Sequence, residues 1–328
     1  MSSGAVLVVG GGGYIGSHMV KALCEAGREV VVLDNLVSGH RDAVDGRAIF
    51  VQGDMSDRAT LDALFGQYPI TAVMHFAAFI EVGESVRAPG KYYQNNVAGT
   101  LVLLDAMVEH GIDRFIFSST AAIYGEPHYT PIDEAHPREP INPYGRGKWM
   151  VEAMLEDYQR AHNLRSVSLR YFNAAGADPD GSLAERHDPE THLIPIVLEV
   201  AAGKRSHVAV YGRDYPTTDG TCVRDYVHVV DLCRAHLLAL RYLEKGGDSA
   251  AFNLGNGGGF SVREVIETAD AITGRAIDVV DGPRREGDPA VLVADATAAR
   301  DVLGWQPEYT RLEPIVAHAW TAAQKHLY

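Results

Sequence analysis

The stretch Ala5-Val-Leu-Val-Val-Gly10-Gly-Gly-Gly13-Tyr-Ile-Gly16, followed by Glu29-Val-Val-Val-Leu33-Asp34, decides the fold. Ala5 to Val9 is a short apolar run rich in β-branched residues, and Ile15, Met19, Val20 and Leu23 then recur at helical spacing. This order predicts strand, turn and helix. The glycines stand at i, i+3 and i+6: Gly10 permits a tight turn, Gly13 lets the backbone approach a pyrophosphate, and Gly16 allows close helix packing. The helix N-terminus would then face the anion. Asp34 ends the second predicted strand, 18 residues after Gly16, where its carboxylate can accept hydrogen bonds from an adenosine ribose. A 2′-phosphate would meet like charge there, so NAD is expected rather than NADP.

Outward from this unit, Asp57 reads as the N-cap of a helix through Leu61, Leu64 and Phe65. Further strands fit Thr71 to Phe76, Arg114 to Ser118 and Arg165 to Tyr171, with helical patterns near 91–110 and 144–162. Strands alternating with helices predict an α/β fold, a Rossmann-type doubly wound parallel sheet with right-handed crossovers. After Asn173 the pattern changes: Gly, Pro and Asp dominate 176–190, a short helix fits 193–202, and the segments become short. We therefore expect a dinucleotide-binding domain over 1–172 and a smaller C-terminal α/β substrate-binding lobe over 173–328. Residues 227–255 are expected to return to the first, a strand at 251–254 rejoining its sheet. Ser261-Val-Arg-Glu264 and Thr310-Arg-Leu-Glu313 read as capping boxes of two later helices.

Composition bounds the partners. The 328 residues are 46% hydrophobic and 22% charged, an ordinary globular balance. Lysine and arginine number 29 against 43 acidic residues, and the net charge of −14 argues against nucleic acid or an anionic membrane held by a broad basic face. Taken alone, it also argues against anionic small ligands. Cys24, Cys222 and Cys233 lack CxxC or metal-ligand spacing, so reduced cytoplasmic thiols and no metal are expected. No apolar run approaches the ~20 residues of a membrane span. Met1-Ser2-Ser3-Gly4-Ala5-Val6 has no basic n-region of the kind that opens a signal peptide. Of two glycine clusters, 10–13 has a chemical reason, while Gly255 to Gly259 reads only as a loop.

Tyr144-Gly-Arg-Gly-Lys148 opens a helical pattern, and the i, i+4 spacing puts both side chains on one face. A phenol titrates near pH 10, so it needs a nearby cation to act as a base near neutrality, and Lys148 can supply one. Upstream, Ser118-Ser119-Thr120 closes a strand at the sheet edge where ligands bind. A hydroxyl, a tyrosine and a lysine together make a proton-relay set.

The whole chain resembles the extended short-chain dehydrogenase/reductases and, among them, the UDP-glucose 4-epimerase family. The matching residues are Gly10 to His18, Asp34-Asn35, Gly53-Asp54, His75-Phe-Ala-Ala78, Val82-Gly-Glu-Ser85, Asn95-Asn96, Ser118-Ser-Thr120 and Asn142-Pro-Tyr-Gly145. They continue through Arg170-Tyr-Phe-Asn173, Asp219-Gly220, Val223-Arg-Asp-Tyr226 and Arg284-Arg-Glu-Gly-Asp288. The resemblance implies NAD contacts at Tyr14, Ile15, Asp34, Asn35, Leu36, Val37, Ser38, Gly39, Asp54 and Met55. It also implies them at Phe76, Ala77, Ala78, Phe79, Ile80, Asn95, Thr120, Tyr144, Lys148 and Phe172. The implied sugar-nucleotide contacts are Thr120, Tyr144, Asn173, His192, Leu193, Ala209, Val210, Tyr211, Arg224, Arg285, Asp288 and Leu292.

The implied reaction interconverts UDP-glucose and UDP-galactose. Tyr144 takes the proton of the sugar 4-hydroxyl while C4 gives its hydride to NAD, Thr120 holds the oxygen, and the 4-keto sugar turns before hydride returns. A homodimer through the helices near 91–110 and 144–162 is also implied, and the spacing of Val97, Leu101, Leu104 and Val108 fits either that interface or core packing. Val9, Thr120 and Gly147 replace a threonine, a serine and a serine of the common pattern without removing a catalytic group. His192 replaces an asparagine beside the nucleotide. Ile80 stands where many members carry a lysine, which bears on retention of reduced cofactor, and Leu292 on acceptance of an N-acetyl group. UDP-N-acetylhexosamines and UDP-pentoses remain alternative substrates. A 4,6-dehydratase would place Asp-Glu where Ala121-Ala122 follow Thr120, and a non-enzymatic NAD-binding regulator would be expected to lose Tyr144 or Lys148.

Overall fold

A computed structural model describes residues 4–285 and 288–326 of the chain. Among these, β1 (Ala5–Val9), β2 (Val30–Asp34), β3 (Ile49–Gln52), β4 (Ile70–His75), β5 (Arg114–Thr120) and β6 (Arg165–Tyr171) form one parallel sheet with a later strand, Ala250–Leu254. The spatial order is Ala250–Leu254, β6, β5, β4, β1, β2, β3, the reversal at β1 and β4 opening the crevice where doubly wound sheets bind ligands. All five residues of β1 are buried, and their side chains alternate between two cores. Val6 and Val8 join Met19, Val20 and Leu23 on one face, while Ala5, Leu7 and Val9 join Leu61, Leu104 and Val151 on the other. A strand covered on both sides must be apolar throughout, which is why the run was conspicuous in the sequence.

β3 was not anticipated. It is an edge strand with Ile49 46% exposed, so it carries no continuous apolar signal. The helices are α1 (Tyr14–Glu25), α2 (Arg58–Gln67), α3 (Val82–Arg87), α4 (Pro89–Tyr92), α5 (Thr100–Glu109) and α6 (Pro143–His162), a π-helical segment Tyr93–Gly99 joining α4 to α5. Asp57 caps α2 by accepting from the Ala59 N–H, as the sequence predicts.

The smaller lobe packs α7 (Leu193–Ala201), α9 (Val262–Thr273) and α10 (Leu312–His326) around Val197, Leu198, Val265, Ile315 and Trp320. Between α7 and α9 in the chain, α8 (Val229–Glu244) lies against α1 in the large core. Ser261 and Glu264 form the expected reciprocal cap of α9. α10 begins at Leu312, one residue later than a Thr310 cap requires. No described helix is long and apolar enough to cross a membrane.

Candidate active site

Gly10 adopts φ +83°, and a Cβ there would stand 2.5 Å from the Ala77 nitrogen. At Gly16 a Cβ would lie 2.0 Å from the Gly10 carbonyl oxygen, so both glycines are required by close backbone approach. Gly13 caps α1 without any side-chain hydrogen bond, leaving first-turn N–H groups, including those of Tyr14 and Ile15, for an external anion. The buried Asp34 carboxylate accepts from the N–H groups of Gly12 (2.7 Å) and Leu36 (2.8 Å). Cβ atoms on Gly12 and Gly39 would sit 3.0 and 2.8 Å from it, so any side chain there would cover its remaining acceptor positions. This cradle has the close backbone approach and the free N–H groups that a dinucleotide requires.

The flanking loops are tied down by short-range bonds. Asn35 donates to Asp54 at 2.8 Å and accepts from the Val37 N–H. Val37 and Ser38 are exposed on the rim, and Met55 is buried beneath Gly99. The Phe76 and Ala77 N–H groups donate to the Val9 carbonyl, which starts the Phe76–Ile80 loop at the end of β4. Asn96 then clamps that loop, accepting from the Phe79 N–H and donating to the Phe79 carbonyl, both at 2.9 Å, while Asn95 donates to Asn96. Ala78 follows in the loop, and Ile80 is 37% exposed at its end.

α6 delivers the tyrosine and lysine. Asn142 accepts from the Gly145 N–H at 2.8 Å and Pro143 occupies the first turn, so the helix starts at the residue before Tyr144. Three adjacent hydroxyls on β5 diverge. Ser118 pairs with the Tyr171 hydroxyl, and Ser119 donates to Glu152 at 2.6 Å. Thr120 accepts from the Ala122 N–H at 3.1 Å and, alone of the three, faces the Tyr144 side chain. Lys148, 3% exposed, donates to the Ser118 carbonyl at 2.7 Å.

Burial raises the Tyr144 pKa above its usual 10, opposed by the neighbouring Thr120 hydroxyl. Burial also lowers the Lys148 pKa to about 7, opposed by the Glu152 charge. Both shifts disfavour charge at these two side chains.

The residues expected to meet a sugar nucleotide gather on the adjoining lobe. Asn173 donates to the Asp225 carbonyl through its backbone (3.1 Å) and its side chain (3.2 Å). Phe172 and Leu292 pack on the small cluster of Ala121, Ile123, Tyr124 and Ile132 directly after Thr120. Arg224 is ion-paired with Asp288, and Leu292 stands opposite Arg224 in a parallel ladder. The exposed Arg285 lies 4.0 Å over the Tyr211 ring, on the strand Val208–Tyr211 that includes Ala209 and Val210. Glu286 and Gly287 of that arginine motif lie outside the described residues. Leu193 opens α7. The neighbouring His192 is turned toward Glu185 (2.9 Å) and Glu190 (3.1 Å).

The second glycine cluster has a reason the sequence did not disclose. Asp225 is fully buried, and its carboxylate accepts from the N–H groups of Asn256 (2.7 Å), Gly257 (3.0 Å) and Ala294 (3.2 Å). A Cβ on Gly255 would stand 2.4 Å from that carboxylate. The loop thus wraps the aspartate whose carbonyl holds Asn173 and whose neighbour is Arg224. An acidic residue inside Val223-Arg-Asp-Tyr226, paired with a distant glycine run, was the only available signal.

The sequence profile of the NAD dependent epimerase/dehydratase family matches residues 6–255. A UDP-glucose 4-epimerase of Lacticaseibacillus casei is 53% identical over 98% of this chain and 97% of its own length. The crystal structure of UDP-glucose 4-epimerase from Brucella ovis in complex with NAD superimposes with a TM-score of 0.95 at 50% identity, covering 97% of this chain and 98% of its own. That from Bifidobacterium longum in complex with NAD+ and UDP gives 0.93 at 38% identity, covering 98% and 99%. From the nucleotide cradle to the tyrosine and the arginine lobe, the chain belongs to the NAD-dependent epimerase/dehydratase family, on its UDP-glucose 4-epimerase branch.

Proposed function

We infer that the chain is an NAD-dependent isomerase that interconverts UDP-glucose and UDP-galactose by inverting C4 of the sugar. The observation that carries this reading is the Tyr144 side chain facing Thr120, one helical turn from Lys148 and at the same edge of the sheet as the glycine cradle. Bound NAD supplies the hydride acceptor at C4 and then the hydride donor. Tyr144 takes the proton of the 4-hydroxyl as the carbonyl forms and returns it after the 4-keto sugar has turned. Thr120 holds the same oxygen, and Lys148 provides positive charge that favours the tyrosinate. Arg224, Arg285 and Asn173 meet the diphosphate of the sugar nucleotide, with Asp288 fixing the Arg224 guanidinium. A local set of cations thereby accepts an anionic ligand on a chain of charge −14.

The test is incubation of the purified protein with UDP-glucose, UDP-N-acetylglucosamine and UDP-xylose, with products resolved by chromatography. UDP-galactose from UDP-glucose is the expected result. A 4-keto-6-deoxy product would replace this reading with the dehydratase, and turnover of UDP-N-acetylglucosamine alone would reassign the substrate. Because Leu292 packs beside the residues that follow Thr120, its bulk faces the question of the N-acetyl group directly.

Asp34 leads to a second measurement. Protein stripped of cofactor should regain activity with NAD and not with NADP, because the carboxylate repels a 2′-phosphate. Equal rescue by both would remove the ribose role of Asp34.

The same reading includes a homodimer in the cytoplasm. On α5 and α6, Leu101, Trp149 and Met150 are 41%, 38% and 40% exposed, an apolar face suited to a second copy. Leu104 is instead fully buried in the core. The three cysteines are free thiols, as a reducing compartment would keep them.

A further inference from the structure

The loop before α7 brings Glu185, His187, Glu190 and His192 together, with one ligand atom of each lying within 4.8 Å of every other. His192 Nδ1 is 2.9 Å from Glu185 Oε1 and 3.1 Å from Glu190 Oε1. His187 Nδ1 is 3.1 Å from Glu185 Oε1 and 3.7 Å from Glu190 Oε2. Ligands about 2.0–2.1 Å from a tetrahedral zinc stand ~3.3 Å from one another, and these nitrogen–oxygen separations, which use Oε1 of Glu185 and both oxygens of Glu190, bracket that value. The glutamate side chains are only 7% and 5% exposed. His187 Nδ1 is itself buried and, despite its proximity to Glu185, makes no hydrogen bond of good geometry.

We propose that Glu185, His187, Glu190 and His192 form a closed four-ligand site for a divalent transition-metal ion of the zinc class. Two imidazole nitrogens favour zinc and its neighbours over magnesium or calcium, which take oxygen ligands. Four protein ligands leave no open position, which makes the role structural rather than catalytic. Charge also balances: two carboxylates neutralise the dication with both histidines neutral, and binding releases any protons the imidazoles carry. The cysteine-based expectation of no metal did not reach this set, because Glu-x-His-x-x-Glu-x-His contains no cysteine.

The position gives the ion something to hold. His187 packs edge-on to Tyr14 at 6.3 Å, at the start of α1. Arg186 pairs with Asp42 at 2.6 Å, and its carbonyl meets His40 at 2.9 Å, in the loop after β2. His192 immediately precedes α7. A metal at this point would strap the dinucleotide side of the molecule to the first helix of the smaller lobe.

Metal content is measured on untagged full-length protein treated with a chelator, re-equilibrated with zinc chloride and gel-filtered. One zinc per chain is expected, with content at least about tenfold lower in the His187→Ala/His192→Ala double variant, since loss of outer-shell partners alone costs ~10–100-fold in metal affinity. Equal content in the double variant, or a negligible content in the wild type, would overturn the site. Because the variant could fail to fold, the wild-type protein is also loaded with cobalt(II). An intense visible ligand-field band supports the tetrahedral site, and a weak octahedral spectrum refutes it. Neither readout depends on epimerase activity.

Discussion

Tyr144→Phe is expected to bind NAD and UDP-glucose and yet turn over at least ~100-fold more slowly, the usual worth of a general base. The phenyl ring keeps the volume and the α6 packing, so the change removes one oxygen, the one that faces Thr120. Burial already holds this tyrosine in its neutral form, so the proton transfer relies on positive charge close to the phenol. Lys148→Met should therefore leave residual turnover that climbs with pH from neutrality upward as more tyrosinate forms. Tyr144→Phe should show no such climb. Steady-state rates together with calorimetric titration of UDP-glucose separate the two variants from loss of binding. A Tyr144→Phe protein with wild-type turnover would end the assignment of Tyr144 as the base.

The elements legible in the sequence were those whose physics is local. β1 and β2 announced themselves because both faces are covered, α6 because Tyr144 and Lys148 open a helical pattern, and α9 because Ser261 and Glu264 satisfy one another across three residues. The candidate nucleotide cradle was legible for the same reason, since its turn, helix N-terminus and terminal acid follow one another along the chain. What escaped was long-range or subtle. β3 is half-exposed and edge-on. The Gly255–Gly259 loop makes sense only once Asp225, about thirty residues earlier, is seen inside it. The division of labour among Ser118, Ser119 and Thr120 depends on Tyr171, Glu152 and Tyr144, which come from two other elements. The same limit applies to the net charge of −14, which describes the whole surface and is silent about where Arg224 and Arg285 stand.

Glu152→Ala should cost about 3–5 kcal/mol of folding stability, because it strands a buried guanidinium. Arg170 and Glu152 are 2% and 6% exposed and joined by a fork, Nε to Oε1 at 3.0 Å and Nη2 to Oε2 at 2.6 Å. The network continues from Arg170 to the Tyr124 hydroxyl at 3.0 Å, and from there to Asn253 at 2.6 Å. Four segments, α6, β6, the turn after β5 that carries Tyr124 and the strand Ala250–Leu254, thus share one set of polar atoms whose partners have no substitute in water. Arg170→Met combined with Glu152→Met removes both charges and should recover much of the loss. That pattern, read as denaturant midpoints of the single and double variants, separates a stranded charge from simple loss of packing. A double variant no more stable than Glu152→Ala would assign the cost to packing. The same substitution reaches the candidate active site. Glu152 lies one turn beyond Lys148 on α6, and its charge opposes the lowering of the lysine pKa by burial. Its removal should drive that pKa below about 7 and leave less ammonium beside Tyr144 at neutral pH. Turnover in Glu152→Ala should consequently fall even under conditions where the variant is fully folded.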